Sequence, residues 1–401
     1  MPTESRAEVD AIKPVSLAGD LGPSRASDDE IFARRPLYTM ALLILMGFLL
    51  ASGAANLYSA SGGDAMFFSH MKQMAVGLVG FALLAFVIQP KHLNASAYWI
   101  YGFISVALVA VLVMGHIGWG ARRWITIGPI NGQPSELAKI AIAIVGARFF
   151  AEVKLNAAYR LRDLWMLGVL TGIMFVLIFP QPDLGTASFL VLIVASQIFF
   201  MQIDWRSVTM IVSAAAVTLP LGWHFLLHDY QKIRILAFLD PNYDTQGKGY
   251  NVLQSLIAVG SGGIYGKGFM NGTQTHLKFL PMSHSDFIFS VFAEEHGFIG
   301  GSLLLLSFAA LGCLALLIAR QSKNTFSALL AVGLGAFLFI EFAINVAMVL
   351  RMFPVKGLPL PFFSAGGSNL IVSCAAIGIL ISIDRDNRGK FRNKQLHVYR
   401  N

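Results

Sequence analysis

Long apolar runs separated by short polar stretches fill most of this chain. A run of about 20 mainly apolar residues is long enough to cross the hydrocarbon core of a membrane as a helix. The pattern therefore predicts an all-α integral membrane protein with ten transmembrane helices. The predicted spans lie near Leu37–Ala60, Met71–Ile88, Ser96–Ile117, Leu137–Val153, Leu164–Phe179, Leu184–Ile203, Ser207–Phe225, Phe287–Ala319, Phe326–Met352 and Ser368–Ile383.

One polar stretch, residues 226–286, is much longer than the other interruptions. It lies between the seventh and eighth spans, is rich in Gly, Asp, Lys and Tyr, and ends on Asp286. We expect it to form a long extracytoplasmic loop. The eighth span exceeds the length needed to cross and contains Glu294, Glu295 and Gly297, so it either begins outside the hydrocarbon or is broken.

The composition agrees with a membrane protein. Of the 401 residues, 56% are hydrophobic and 13% charged, and the mean hydropathy is +0.64, whereas soluble domains average about 25% charged residues. We expect a membrane domain over residues 37–385, a disordered cytoplasmic tail over 1–36 and a basic cytoplasmic tail over 386–401. Cys313 and Cys374 lie inside apolar runs, which favours packing over a disulfide or a metal site.

The basic residues predict the orientation of the spans. Most flank the ends of spans that share one side of the membrane if both termini are cytoplasmic. The net charge of +8 therefore reflects topology and does not indicate nucleic-acid binding.

Three outer segments carry basic residues that this orientation does not require. They are Arg122 and Arg123 after the third span, Lys232, Arg234, Lys248, Lys267 and Lys278 in the long loop, and Arg351 and Lys356 before the tenth span. Such an excess indicates an anionic ligand on the outer face, such as a phosphate or pyrophosphate.

The long loop also contains a glycine-rich segment, Gly260–Gly268. It fails the spacing of a P-loop and of the dinucleotide fingerprint. We interpret it as a flexible outer segment whose glycines permit positive φ. A backbone nest for a lipid pyrophosphate stays open.

Asp286 is the main candidate for chemistry. A carboxylate where a polar loop re-enters the membrane can act as a general base or a charged ligand, and it can also cap the next helix. His284, Glu294 and Glu295 add further ionisable groups close by in the chain.

Three other segments carry polar residues next to predicted spans. Glu136 and Lys139 are three residues apart, so a helix would pair them on one face, either as a structural salt bridge or towards the bundle interior. Trp124 precedes them and is typical of an interfacial anchor. Asp183 lies in a very short outer turn, as a helix cap or as a partner for an outer cation. The Pro- and Gly-rich residues 354–368 predict broken backbone packed in protein or lining a cavity, as transporters also have.

These segments together resemble the SEDS family (shape, elongation, division and sporulation), the RodA and FtsW proteins of bacterial cell-wall synthesis. The resemblance spans about residues 37–385 and looks closer to the RodA branch. It is carried by GARRWITIG, QPSELAK, PQPDLGTA, DYQKIRILAFLDP, GKGYNVLQSLIAVGSGGIYGKGF, GTQTHLKFLP, HSDFIFSVFAEEHGFIG and FPVKGLPLPFFSAGGSN.

The resemblance implies a peptidoglycan glycosyltransferase of the bacterial inner membrane that polymerises lipid II on the outer face for cell elongation. It implies as partners lipid II and undecaprenyl-linked glycan, membrane lipid, a class B penicillin-binding protein as transpeptidase, and other elongation proteins. It assigns catalysis to Asp286 and cavity positions to Trp124, Glu136 and Lys139. A divalent cation, Mg or Mn, is left open. The further residues that we expect to contact substrate are Arg123, Asp183, Lys232, Arg234, Lys267, Lys278, His284 and Ser364.

Four positions depart from the family pattern. Met282 replaces a usual Glu, Ser285 a Thr, Ala365 a Tyr and Asn369 a Ser, whereas Asp286 is retained. Alternative functions are a lipid II flippase or other transporter, a division-type polymerase, and a scaffold that recruits the penicillin-binding protein.

Overall fold

The computed structural model describes residues 35–398, with gaps at 115, 119–120, 128–129, 154–157, 182, 226–228, 241–247, 278 and 281. Nearly all of the described chain is helical, as predicted. The helices are α1 (Arg35–Ser61), α2 (Ala65–Ala82, continued by a π-helical turn Leu83–Val87), α3 (Pro90–Ala95), α4 (Ala97–Met114), α5 (Pro134–Glu152), α6 (Trp165–Ile178, after a 3-10 turn Leu161–Leu164), α7 (Leu184–Phe199), α8 (Trp205–Phe225), α9 (Asp229–Leu239), α10 (Lys248–Ser261), α11 (Thr273–His276), α12 (Ile288–Gln321), α13 (Thr325–Val349) and α14 (Gly367–Val398).

Eight of the described helices are long and apolar enough to cross a membrane, namely α1, α2, α4, α6, α8, α12, α13 and α14. The two other predicted spans correspond to α7, which is apolar but has 16 residues, and to α5, which is almost entirely buried and carries Glu136 and Lys139. The apolar helices confirm a multi-pass membrane fold, and the count of ten spans stays a prediction.

The centre of the bundle is built around α5 and α13. Helix α13 packs against α5, α7, α10, α12 and α14, and α5 packs against α4 and α7. Their small and apolar residues permit close packing without lipid between the helices. The polar first turns of α5, α7 and α14 therefore meet inside the protein.

A small antiparallel sheet precedes α5 and was not predicted. Its strands are β1 (His116–Gly118), β2 (Ala121–Ile127) and β3 (Ile130–Gly132), in that spatial order. The β-branched run at 125–127 on β2 suits a strand. Because β2 contacts α5 and β3 contacts α14, the sheet holds Trp124 at the start of both helices.

Helix α12 is broken at Gly297, as the composition of the eighth span predicts. Gly297 has φ 64° and ψ −163°, and the glycine-rich segment packs into the break. The backbone N–H groups of Lys267 and Gly268 donate to the carbonyls of Glu294 and Glu295, each at 3.0 Å. A methyl group on Gly266 would lie 2.1 Å from the Glu295 carbonyl oxygen. The glycines thus allow two backbones to touch, and these two amides are not available for a phosphate nest.

The remainder of the long polar segment 226–286 contains α9, α10 and α11. Residues 354–366 are irregular, and Leu358, Leu360, Phe362 and Phe363 within them are buried, which confirms broken backbone packed in protein. Helix α14 continues to Val398, so much of the predicted C-terminal tail is helical.

Candidate active site

A buried ion network lies at the centre of the bundle. Lys139 on α5 is fully buried, and its Nζ lies 2.8 Å from Glu136 Oε2 and 2.6 Å from Glu341 Oε1. The same ammonium lies 5.4 Å and 5.3 Å from the ring centroids of Phe189 and Phe337, within the range of cation–π attraction. The predicted pairing of Glu136 with Lys139 is confirmed. Glu341 on α13 is absent from the predicted set, although an isolated carboxylate in an apolar span is itself a functional signal.

Asn369 in the first turn of α14 completes this network. Its side-chain amide donates to Glu136 Oε2 at 3.0 Å and to Glu341 Oε1 at 2.9 Å. The two carboxylates therefore share the same two donors, the ammonium of Lys139 and the amide of Asn369.

Glu136 and Asn369 of this network line a cavity of about 160 Å³, with Lys139 and Glu341 behind them. Its lining comes from motifs far apart in the chain: Trp124, Gln133, Glu136, Thr186, Gly357, Pro359, Gly366, Ser368 and Asn369. Helices α5, α7 and α14 all begin at this cavity. Because the N–H groups of a first helical turn carry partial positive charge, three such ends favour an anionic group there.

Hydrogen bonds fix these helix ends to one another. Gln133, the N-cap of α5, donates its backbone N–H to Ser368 Oγ at 3.0 Å and its side-chain amide to Asp183 Oδ2 at 3.4 Å. Asp183 accepts from the backbone N–H and the hydroxyl of Thr186 at 3.1 and 2.9 Å. Asp183 is therefore the N-cap of α7, one of the two roles predicted for it, and it supports the cavity wall from behind.

Asp286 lies at the edge of the same cavity, in the turn before α12. It is half-buried, and a methyl group on the cavity-lining Gly357 would lie 3.4 Å from its Oδ2. The N-cap position of α12 is Phe287. The capping interpretation expected Asp286 at that position and is wrong. The turn brings the carboxylate to a point where it can meet a ligand of the cavity.

Side chains from two other elements hold the backbone around Asp286. Asn345 on α13 donates to the carbonyls of Asp286 at 3.1 Å and Leu358 at 2.8 Å. Ser364 donates to the carbonyl of Ser285 at 2.7 Å and accepts a backbone N–H of its own segment at 2.7 Å. Ser364 was expected to contact substrate, but its buried hydroxyl is used on both sides, so in this structure it positions the Asp286 turn.

His284 lies two residues before Asp286 and is half-buried. Its backbone carbonyl accepts the N–H of Ala365 at 3.0 Å. Burial lowers the pKa of the imidazole, and the nearby charge of Asp286 opposes that shift. Burial thus favours the neutral form of the ring.

Lys356 immediately precedes Gly357 and was counted among the excess outer cations, but not among the predicted substrate contacts. Its Nζ lies 3.4 Å from Ser188 Oγ and 5.1 Å from the ring centroid of Phe353. Burial lowers the pKa of this ammonium, as expected for a cation removed from water.

Lys267 has a partner within the fold. Its Nζ lies 2.6 Å from Glu294 Oε1, and the fully buried Glu294 also accepts from Thr273 Oγ1 at 3.0 Å and the Gln274 N–H at 3.2 Å. This cluster ties the outer segment to α12. The charge of Lys267 is thus already compensated, which argues against the substrate contact predicted for it.

The other predicted cations do not line the cavity in the part of the chain that the structure describes. Lys232 is half-buried on α9. For Arg123 on β2 and Arg234 on α9 the backbone is described, whereas their side chains and all of Lys278 lie outside the described residues.

A sequence model of the family described as "Cell cycle protein", covering FtsW, RodA and SpoVE, matches residues 33–389. The chain belongs to this family. The peptidoglycan glycosyltransferase MrdB of Escherichia coli K12 is 41% identical over 353 residues, which is 86% of this chain and 92% of MrdB. Stage V sporulation protein E of Bacillus subtilis is 31% identical over 354 residues, covering 86% of this chain and 95% of that protein.

Two solved structures of the FtsW/RodA/SpoVE family share the fold. RodA of Thermus thermophilus has a TM-score of 0.65 at 28% identity, covering 86% of this chain and 96% of that one. A chain of a peptidoglycan synthase complex that coordinates polymerization and crosslinking has a TM-score of 0.75 at 30% identity, covering 86% and 97%. The resemblance to the SEDS family and the multi-pass inner-membrane location are confirmed.

Two departures from the FtsW/RodA/SpoVE pattern have structural roles in this member. Met282 has φ 57°, and its carbonyl accepts the N–H groups of Ser285 at 3.1 Å and Phe287 at 3.4 Å, which closes the turn that carries Asp286. Asn369 bridges the two buried carboxylates, which requires two N–H donors on one side chain.

Proposed function

We propose that this protein is a peptidoglycan glycosyltransferase that polymerises lipid II into glycan strands at the outer face of the bacterial cytoplasmic membrane, for cell elongation. The observation that carries the proposal is the position of Asp286, a half-buried carboxylate beside Gly357 at the edge of a cavity where three helices begin. The MrdB and FtsW relatives are named peptidoglycan glycosyltransferases, which supports the same reaction here.

Asp286 acts as the general base. It takes the proton of the 4-hydroxyl of the GlcNAc of lipid II while that oxygen attacks C1 of the growing glycan, which is linked to undecaprenyl pyrophosphate. The new C–O bond forms opposite the leaving group, so an α linkage becomes β. The bond from C1 to the pyrophosphate oxygen breaks, and its electron pair leaves with the lipid pyrophosphate. Positioned general-base catalysis is worth about 10²–10⁴-fold.

The leaving pyrophosphate is stabilised by the cavity. The first turns of α5, α7 and α14 lie at the cavity, so the positive ends of their dipoles favour an anion there, and Lys356 immediately precedes the cavity-lining Gly357. A half-buried ammonium acts on an anion more strongly than a solvated one because water screens it less. Arg123, Lys232, Arg234 and Lys278 stay predicted contacts of the lipid-linked sugars.

The described residues offer no dedicated site for a divalent cation, and a cation carried by the pyrophosphate stays open. Among the described residues, no three His, Cys, Asp or Glu side chains are grouped closely enough to hold a metal ion. No step of the mechanism therefore runs through Mg or Mn.

The location of the reaction follows from the predicted orientation. With both termini cytoplasmic, helices α9, α10 and α11, Asp286 and the cavity lie at the outer face, where the sugars of lipid II are exposed. The undecaprenyl chains remain among the apolar helices. The likeness to a chain of a peptidoglycan synthase complex supports a class B penicillin-binding protein as the crosslinking partner.

A lipid II flippase is the second candidate, because broken helices and buried irregular backbone are also features of transporters. The break of α12 at Gly297 and the buried segment 354–366 are both of this kind.

Polymerisation in detergent separates the two candidates. The purified full-length protein is incubated with lipid II, with and without a class B penicillin-binding protein, and glycan strands are resolved on a gel. A polymerase produces strands. A flippase produces none, because it only moves lipid II between two leaflets, which a micelle does not have.

A further inference from the structure

The buried ion network contains one more carboxylate than it has cations. Glu136 and Glu341 together carry two negative charges when ionised, Lys139 carries one positive charge, and Asn369 is neutral. The exposed fractions of these side chains are 3% for Glu136 and Asn369 and 0% for Lys139 and Glu341. An uncompensated charge at this depth is costly, and a buried carboxyl avoids the cost by retaining a proton.

The charged groups in contact with α13 provide no second cation. Within the described residues, Lys139 and Glu136 are the charged groups that act on Glu341. Helix α7 has no ionisable side chain, and on α10 the basic residue Lys248 has a side chain outside the described residues. Other charged groups nearby contact other partners, among them Glu294 with Lys267, Glu295 with Ser59, Arg148 with Glu152, Asp384 with Arg388 and Lys356 with Ser188.

The surroundings of the two carboxylates differ in a way that decides which one is neutral. Glu136 lines the cavity in the first turn of α5, where the helix dipole favours a negative charge. Glu341 lies inside α13, far from either helix end, and its Oε2 is buried without a hydrogen-bond partner. Ionisation would place negative charge on this oxygen, where no donor stabilises it. A protonated carboxyl avoids that cost.

We propose that Glu341 is a proton-binding site, so that Glu136 and Lys139 form a neutral ion pair and the cavity wall carries no net charge. Asn369 is a positioning residue in this arrangement. Its two N–H groups hold both carboxylates against the single ammonium.

The proton has a consequence for substrate binding that rests on the proposed function. A neutral wall admits a pyrophosphate anion, and a wall with one added negative charge repels it. When the pH rises enough to ionise Glu341, KM for lipid II should therefore increase several-fold, while kcat changes less. In Glu341→Gln, which stays neutral at every pH, this increase of KM should be absent.

Infrared difference spectroscopy tests the proton directly and without any polymerisation assay. The full-length protein in lipid nanodiscs is compared between neutral and alkaline pH. We expect the carbonyl stretch of a protonated carboxyl at neutral pH, at the lowered frequency of a carbonyl whose oxygen, Glu341 Oε1, accepts hydrogen bonds, with slow exchange in D₂O. The band should be lost in Glu341→Gln and kept in the control Glu152→Gln, whose carboxylate pairs with Arg148 at the surface.

A second pair of variants distinguishes loss of the proton from misfolding and from assignment of the band to the wrong residue. Glu136→Gln should also lose the band, because Glu341 then becomes the sole counter-ion of Lys139 and ionises. Combining Glu136→Gln with Lys139→Met removes that cation and should restore it. The proposal is overturned if no band responds to Glu341→Gln, since both carboxylates are then ionised, or if the band exchanges at once with D₂O, since the proton is then on Glu136. Failure of glycan synthesis would leave this result unaffected.

Discussion

Gly357 and Asp286 lie side by side at the edge of the cavity, since a methyl group on Gly357 would lie 3.4 Å from Asp286 Oδ2, an ordinary van der Waals distance. Gly357 has φ +68°, a conformation that glycine adopts freely and other residues rarely. The glycine at position 357 therefore allows the irregular segment 354–366 to take this conformation beside the carboxylate.

Gly357→Ala is expected to reduce polymerisation because the strained backbone at residue 357 shifts the segment that lies beside Asp286. A left-handed conformation costs a non-glycine residue about 1–2 kcal/mol, and a shift of about 1 Å in a catalytic group can cost about 10²-fold in rate. The measurement is kcat with lipid II. Gly62→Ala is the control, because Gly62 has φ +66° with no atom within 4 Å of the added methyl. An equal loss of kcat in both variants would mean that the loss comes from backbone strain in general and not from the position of Gly357 beside Asp286.

Lys139→Met is expected to destabilise the protein by about 3–5 kcal/mol, because it leaves Glu136 charged and buried without a cation. Adding Glu136→Gln removes that charge and should recover most of the thermal stability, measured by unfolding of the purified protein. Removing the half-exposed pair of Arg148 and Glu152 should cost only about 0–1 kcal/mol. A double variant no more stable than Lys139→Met would contradict the charge balance.

Asn345→Ala is expected to lower kcat, because the carbonyls of Asp286 and Leu358 lose their shared donor. Leaving such groups without a partner costs about 1–3 kcal/mol each. Asn324→Ala provides the comparison at the other end of α13, where Asn324 Oδ1 accepts the Ser327 N–H. It should reduce stability by about 1 kcal/mol without changing kcat relative to folded protein. If the two variants lose activity in proportion to stability alone, Asn345 does not position Asp286.

Lys356→Gln is expected to reduce kcat because the leaving pyrophosphate loses a half-buried counter-charge. Lys356→Arg, which keeps the charge, should retain more of the rate. Lys72→Gln is the control, since Lys72 is an exposed lysine of α2 outside the cavity lining. Steady-state rates with lipid II measure the effect on kcat. Equal activity of Lys356→Gln and the wild type would show that Lys356 has no role in the mechanism.

Local patterns in the sequence predict those parts of the site whose residues lie close together in the chain. The spacing of Glu136 and Lys139 predicts their ion pair, and the polar stretch before the eighth span predicts the re-entry point at Asp286. The acidic residues and Gly297 in that span predict the break in α12. Each depends on a single helix or on its end.

Local patterns do not predict contacts between distant segments of the chain. Glu341 lies 202 positions after Lys139, and nothing in an apolar span indicates which cation it will face. Lys267 looks like a free outer cation until the fold brings it to Glu294. In the sheet at 116–132 two of the three strands have three residues each, and the adjacent Arg122 and Arg123 interrupt the alternation in β2, and so it was not predicted.

The central claim is that Asp286 is the catalytic base of a glycan polymerase. Asp286→Asn keeps the size of the side chain and removes the base. Asp64→Asn is the matched control, because Asp64 is an exposed aspartate that makes no side-chain cap. Both purified proteins are assayed with lipid II for glycan strands, after equal thermal stability has been established. The account predicts wild-type strands from Asp64→Asn and a loss of about 10²-fold or more from Asp286→Asn. Strands formed at the wild-type rate by Asp286→Asn would contradict it.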